Sequence, residues 1–220
     1  MINNEKIGVI AGTPIDTQMG VDFVTNKGIG AVGRPTATSS KEQNLLQFLH
    51  PDSLTKKVLK IVREFKTKQI YRTMIYCNSL SAAIDIDYLL NTEPEAIIIT
   101  PLDIYKRLAY KYKKIALWAA NGQCLSAIEH VFYKENSSIN IMGISMLPVI
   151  NAIEKGASAK SIVNKFKLTS LICEHLGVDG LVLGCTHLPF LQSELEKIAN
   201  IPIIDPAEHM LEYLMSSTHK

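Results

Sequence analysis

No apolar run in these 220 residues approaches the ~20 needed to cross a bilayer. Neither sign of charge dominates: 23 Lys and Arg against 21 Asp and Glu leave +2. That is too little for a chain whose affinity for nucleic acid would come from neutralising phosphates. Four cysteines are too few for a disulfide scaffold. The apolar stretch after Glu5 and Lys6 is too short, and its flank too acidic, for a secretory signal. No segment is of low complexity, and none reads as a Pro-, Gly- or Ser-rich linker. These exclusions lead to the expectation of a soluble, cytoplasmic, reduced protein without nucleic-acid or membrane partners, whose thiols are free to react. Hydrophobic residues at 47% and charged residues at 20% supply a buried core. At ~150 residues per domain the length fits one large domain or two small ones.

Short apolar runs alternate with amphipathic segments from end to end. Ile7–Ala11, Thr73–Cys77, Ala96–Thr100, Ile115–Ala119, Ile139–Gly143, Leu181–Cys185 and Ile201–Ile204 read as strands covered on both faces, as in a parallel sheet. Ser53–Lys68 places Leu54, Val58, Ile61, Val62 and Phe65 on one helical stripe, and Ser158–Leu176 does the same with Ile162, Phe166, Thr169 and Ile172. Strand followed by helix, repeated, is an α/β pattern. Trp118 falls on a strand and reads as core.

The pattern also repeats internally. Ile7-Gly-Val-Ile-Ala-Gly12 has a counterpart in Ile115-Ala-Leu-Trp-Ala-Ala120, and Cys77-Asn-Ser-Leu80 has one in Cys185-Thr-His-Leu188, both at an offset of 108. Ile97-Ile-Ile-Thr-Pro101 pairs with Pro202-Ile-Ile-Asp-Pro206 at 105. The expected organisation is two pseudo-symmetric α/β halves of flavodoxin-like parallel sheets, 1–101 and 102–205, around a cleft, with a closing helix 206–220 returning to the first half.

In each half a cysteine ends a strand and a small polar residue follows it. Asn78 or Ser79 can cap a helix after Cys77, and Thr186 or His187 precedes Pro189, which suits a first helical turn. A thiol beyond the carboxyl end of a strand and near a helix amino terminus is where ligands of open α/β sheets bind and where thiolates are stabilised. Two opposed thiols suit inversion of a stereocentre, one removing a proton from one face while the other returns one to the opposite face. The developing enolate needs aimed donors, and Asn78, Ser79, Thr186 and backbone amides supply them. Cys124 and Cys173 read instead as small buried hydrophobes. The pairs Cys173-x-His175 and Cys185-x-His187 look like metal ligands, but residues i and i+2 of a helix diverge, so no metal is expected.

At these residues the sequence resembles the cofactor-independent aspartate/glutamate racemase superfamily. The resemblance spans essentially the whole chain and rests on Cys77-Asn78-Ser79 and on Leu183-Gly-Cys185-Thr186-His187-Leu-Pro189. It implies an amino-acid racemase that uses neither pyridoxal phosphate nor metal, takes a small amino acid as its partner molecule, and pairs as a homodimer. Cys77 and Cys185 would be the acid/base thiols, Asn78, Ser79 and Thr186 the clamp on the α-carboxylate, and His187 the assistant of the second thiol. Three features lean toward glutamate: His187 itself, Ser81 four beyond Cys77, and Glu154 where aspartate-acting members carry lysine. Two segments depart from glutamate racemases. Gly12-Thr13-Pro14-Ile15-Asp16 stands for Asp-Ser-Gly, and Ala119-Ala120-Asn121-Gly122-Gln123 for Ala-Thr-x-Gly-Thr.

Thr13, Arg34 and Thr36 complete the candidate substrate-binding set, with Asp16 and Glu154 as auxiliaries. Arg34 can hold a distal carboxylate bidentately or be a solvated surface residue. Asp16 can orient a catalytic group or cap a helix. Glu154 can equally lie on a helix surface. Rival readings are a related isomerase, a racemase of another small carboxylate or hydantoin, and a non-catalytic binding protein.

Overall fold

The apolar runs become two four-stranded parallel sheets in the computed structural model, which describes residues 6–172 and 177–217. The first holds β1 (Lys6–Ala11), β2 (Gly30–Pro35), β3 (Arg72–Ile75) and β4 (Ile97–Ile99) in the order β2-β1-β3-β4. The second holds β5 (Lys114–Ala119), β6 (Asn140–Ser145), β7 (Gly180–Gly184) and β8 (Ile203–Ile204) in the order β6-β5-β7-β8. Each is the first four strands of a flavodoxin-like order. The register repeats as well. Ile7 lies opposite Arg72 in the first sheet and Ile115 opposite Gly180 in the second, so both partners shift by 108. The chain accordingly separates into two units, Met1–Pro101 with Ala207–Lys220, and Leu102–Pro206.

Helices cover the strands. In the first unit these are α1 (Pro14–Asn26), α2 (Ser40–Leu49), α3 (Pro51–Thr67), α4 (Asn78–Ala83) and α5 (Ile86–Thr92). α6 (Pro101–Lys111) leads into the second unit, which adds α7 (Gly122–Glu135), α8 (Leu147–Glu154), α9 (Ala159–Lys165) and α10 (Gln192–Glu196). α11 (Pro206–Ser216) closes the chain. The stripe expected on α3 is buried as a set: Leu54, Val58, Ile61, Val62 and Phe65. Phe65 lies so close on β1 that a Cβ at Gly8 would come within 2.3 Å of its ring. Only glycine lets this helix sit down on the strand. Trp118, at the centre of the second unit's core, is fully buried. Among the described residues no helix is long and apolar enough to cross a membrane.

The long helix expected over 158–176 is interrupted. α9 ends at Lys165, Lys167 turns into the left-handed region at φ 51°, and a 3-10 turn follows at Leu168–Leu171. The break exchanges one buried residue for another. A continuous helix would have put Thr169 on the apolar stripe, whereas the turn buries Leu168 and leaves Thr169 in solvent. Leu168 gains burial worth about 2 kcal/mol, which offsets the roughly 1–2 kcal/mol that a left-handed lysine costs. Cys173 and His175 lie outside the described residues.

Arg72 fastens α11 to the first unit. Its side chain is buried on β3, where Nε donates to Leu214 O at 2.8 Å and Nη2 to Ser217 O at 2.8 Å. A cation at the carboxyl end of a helix satisfies carbonyls that have no partner within the helix and sits favourably against its dipole. Arg72→Leu is expected to cost about 2–3 kcal/mol, since charge-assisted bonds vanish and a buried carbonyl is left bare. Urea unfolding of the variant against the parent measures it, and a loss below about 0.5 kcal/mol would contradict this role.

Candidate active site

In the first unit β3 runs into Tyr76 and Cys77, and α4 begins at once with Asn78. Tyr76 N still donates to Ile10 O at 2.7 Å, so the ladder to β1 holds the chain straight up to the thiol. Cys77 is buried. Its Sγ lies 3.4 Å from Ser79 Oγ and accepts from Gln43 Nε2 at 3.5 Å, and the same Nε2 reaches Ser79 Oγ at 3.3 Å. Burial pushes the Cys77 thiol up, and the Asp16 carboxylate adds to this. The Ser79 hydroxyl and the backbone N–H groups of Leu80 and Gly12 oppose the rise without overcoming it. The expectation of a thiolate stabilised by a helix amino terminus is therefore corrected here. α4 is only six residues long, and the cost of desolvating a charge exceeds what its first turn returns.

Thr13 and Asp16 form a buried pair beside this thiol. Thr13 caps α1, accepting from Asp16 N, while its hydroxyl donates to Asp16 Oδ2 at 2.9 Å. Asp16 is thus not the cap. It sits within the first turn of α1, near enough to Cys77 for its charge to act there. Asn78 is buried at the first position of α4 and Ser79 is half-buried beside it. Neither provides a helix cap, because Cys77 itself holds the capping position without a side-chain bond.

In the second unit β7 ends at Gly184, and Cys185 follows, buried. Cys185 Sγ lies 3.7 Å from His187 Nδ1, and the other ring nitrogen of His187 is 3.2 Å from Glu154 Oε1, an ion-pair distance out of line with the ring N–H. Glu154, the last residue of α8, is half exposed and leads from solvent to the buried imidazole. Thr186 is half-buried between Cys185 and His187. The segment after His187 is not an α-helix but a 3-10 turn, Leu188–Leu191, with Pro189 in its first two positions. Gly184 is required where it stands. A Cβ there would come within 2.9 Å of Trp118 O on β5, so a side chain would force the end of β7, and Cys185 with it, off its neighbour. Cys124 is buried, its thiol 3.9 Å from Gly184 O.

Two candidates are placed otherwise than expected. Arg34 lies within β2 rather than beyond it. Its Nε and Nη2 donate to Glu64 Oε1 at 3.0 and 2.6 Å, with Nη1 on Gly33 O, so its fork is spent on its own fold. Glu64 is held down at about 2 by Arg34 and Lys68. Thr36 is fully buried, its hydroxyl donating to the carbonyls of Ala11 and Gly12 at the end of β1. It fixes the loop that carries Gly12 and presents nothing to a ligand. Gln43 was not singled out from the sequence at all. Among the described residues no group of three or more His, Cys, Asp or Glu is placed to hold a metal.

No protein-family model matches the chain. Among curated proteins, the glutamate racemase of Limosilactobacillus reuteri (strain DSM 20016) is 26% identical over 178 residues, covering 79% of this chain and 62% of its own. That of Fusobacterium nucleatum is 29% identical over 182 residues, covering 79% and 64%. The chain is thus similar in sequence to glutamate racemases and in fold to glutamate, aspartate and allantoin racemases. It spans less than two thirds of the length of these curated superfamily relatives. Solved structures share its fold. The glutamate racemase of Francisella tularensis, in complex with D-glutamate, superposes with a TM-score of 0.65 at 18% identity over 98% of this chain and 81% of its own. The aspartate racemase of Picrophilus torridus gives 0.67 at 18%, covering 96% and 93%, and the allantoin racemase of Klebsiella pneumoniae 0.68 at 16%, covering 96% and 86%.

The charge of Asp16, which acts on Cys77, yields a prediction. Asp16→Asn keeps the acceptor for Thr13 and removes the charge, so Cys77 should ionise at lower pH. The midpoint of the pH profile for disulfide-reagent labelling of Cys77, followed peptide by peptide, is expected to move down. A midpoint that stays or rises would contradict the electrostatic role of Asp16.

Proposed function

We propose that this protein is a cofactor-independent racemase of glutamate, with aspartate the nearest competing substrate. Cys77 and Cys185 act as its two acid/base thiols, one for each face of Cα. The observation that carries the reading is the matched placement of these cysteines. Each closely follows the third strand of a sheet whose order and register are the same in both units, 108 residues apart. A packing cysteine has no reason to recur at that point with a polar follower in each unit. The curated relatives named glutamate racemase support the choice of substrate. In keeping with the resemblance, the reading takes the enzyme to be a cytoplasmic homodimer.

The chemistry is a proton relay without redox change. A thiolate takes the Cα proton while the C–H electron pair moves into the carboxylate, giving an aci-carboxylate. The opposite thiol protonates Cα on the other face and becomes the thiolate. The two environments give the resting enzyme one of each. Cys77 is kept protonated by burial and by Asp16, and so serves as the acid. Cys185 has an imidazole at 3.7 Å able to take its proton, with Glu154 beside the resulting imidazolium, and so serves as the base. The enantiomer whose Cα–H faces Cys185 reacts directly. The other needs the opposite state, Cys77 as thiolate and Cys185 protonated, which is the state that one turnover of the first enantiomer leaves behind. Asn78, Ser79 and Thr186 donate to the aci-carboxylate, whose added charge makes those bonds stronger in the transition state than in the ground state.

A second reading has one specific observation behind it. Arg34, the cation suggested for a distal carboxylate, is held by Glu64, which favours a substrate without that carboxylate, of hydantoin type.

Chiral chromatography of glutamate incubated with single-cysteine variants tests the main reading. Cys77→Ser and Cys185→Ser should each lower racemisation by about 10²-fold or more, as loss of a general acid or base does. Each should still exchange the α-proton of one enantiomer only. Racemisation at the parent rate by either variant would refute the two-thiol mechanism.

A further inference from the structure

Gln43 has no part in the mechanism above, yet its side-chain amide lies against the Cys77 thiol. It projects from α2, a ten-residue helix that packs on α3 and α4. Its Nε2 donates to Cys77 Sγ at 3.5 Å and to Ser79 Oγ at 3.3 Å. The fit is close on the opposite side too. A Cβ at Gly12 would come within 2.0 Å of Nε2, 2.2 Å of Cδ and 2.5 Å of Oε1, so the whole amide lies over the bare backbone of the β1 loop. That loop is itself anchored by Thr36, which donates to Gly12 O, and by Ala37 N, which donates to the same carbonyl at 2.8 Å. Gly12 therefore makes room for the amide, and the amide fills it.

We propose that Gln43 is an internal cap on Cys77, standing where the substrate's carboxylate must come, so that binding at this face requires the amide to be displaced. A primary amide is planar and close in size to a carboxylate, and here it engages the thiol and the hydroxyl together. The carboxylate half of this statement rests on the racemase reading; the capping contact does not. Gln43 is thus an access-determining residue. It admits ligands whose carboxylate out-competes a neutral amide for Ser79 and for the first turn of α4, and it keeps Cys77 from reagents that cannot do so. A carboxylate has the advantage there because hydrogen bonds to a charged acceptor are stronger than those to a neutral one.

Iodoacetamide labelling of the full chain, quantified by mass spectrometry for Cys77 and Cys185 separately, tests the cap without needing turnover. Rates are read on the alkaline plateau, where both thiols are ionised and only access differs. Gln43→Ala, which favours the helix, is expected to speed Cys77 labelling on the order of three- to tenfold, the equivalent of one modest hydrogen bond, with Cys185 unchanged. Gln43→Asn, which withdraws the amide by one methylene, should fall between parent and Gln43→Ala. An unchanged Cys77 rate in Gln43→Ala would overturn the proposal, as would equal acceleration at both thiols. Faster Cys77 labelling in a protein that racemises nothing would keep the cap and discard the racemase.

Discussion

The pairing of a third parallel strand against a first, in one register used twice, is the constraint on which the rest depends. Between β1 and β3 it runs from Ile7 opposite Arg72 to Ile10 opposite Ile75, and between β5 and β7 from Ile115 opposite Gly180 to Ala119 opposite Gly184. Register in a sheet buried on both faces is strongly specified, because a slip by one residue turns every side chain over. Each thiol inherits its height and direction from this ladder: Tyr76 is still bonded to Ile10, and Gly184 is pressed against Trp118. Packing is what enforces it, through Phe65 on Gly8 in one unit and the cluster around Trp118 in the other.

Two thiols placed alike are surrounded unlike. Cys77 has a hydroxyl, an amide and two backbone N–H groups about it, but also burial and the charge of Asp16, and the balance keeps it protonated. Cys185 has an imidazole in its place, with a half-exposed carboxylate behind. The proposed mechanism rests with one thiol protonated and the other as thiolate, and unlike surroundings favour that division. The duplication supplies position, and divergence of the neighbours supplies unlike surroundings. The two-base mechanism proposed above uses both.

Much of the frame was legible because its signal is local. Apolar runs such as Ile7–Ala11 and Leu181–Cys185 suit strands covered on both faces, and the common offset showed that they belong to two similar sets. The α3 stripe was equally plain. The interruption at Lys167 was hidden because Ile162, Phe166 and Ile172 keep helical spacing across it, and only the burial of Leu168 in place of Thr169 shows what the turn achieves. Site residues named from motifs adjoining the cysteines, such as Ser79 and His187, do lie against the thiols. Arg34 does not, since its partner Glu64 is thirty residues away on another element and no sequence pattern couples them. Gln43 left no trace for the same reason. Its partners are a loop glycine and a cysteine at the far ends of two strands, and the helix that brings it there carries no recognisable motif.

Proton NMR of the purified protein with each enantiomer of glutamate and aspartate, in deuterated buffer under reducing conditions, tests the central claim most directly. The account predicts that the α-proton signal of glutamate disappears from both enantiomers while the opposite enantiomer accumulates, with no cofactor added. Retention of the α-proton in all four samples would contradict it.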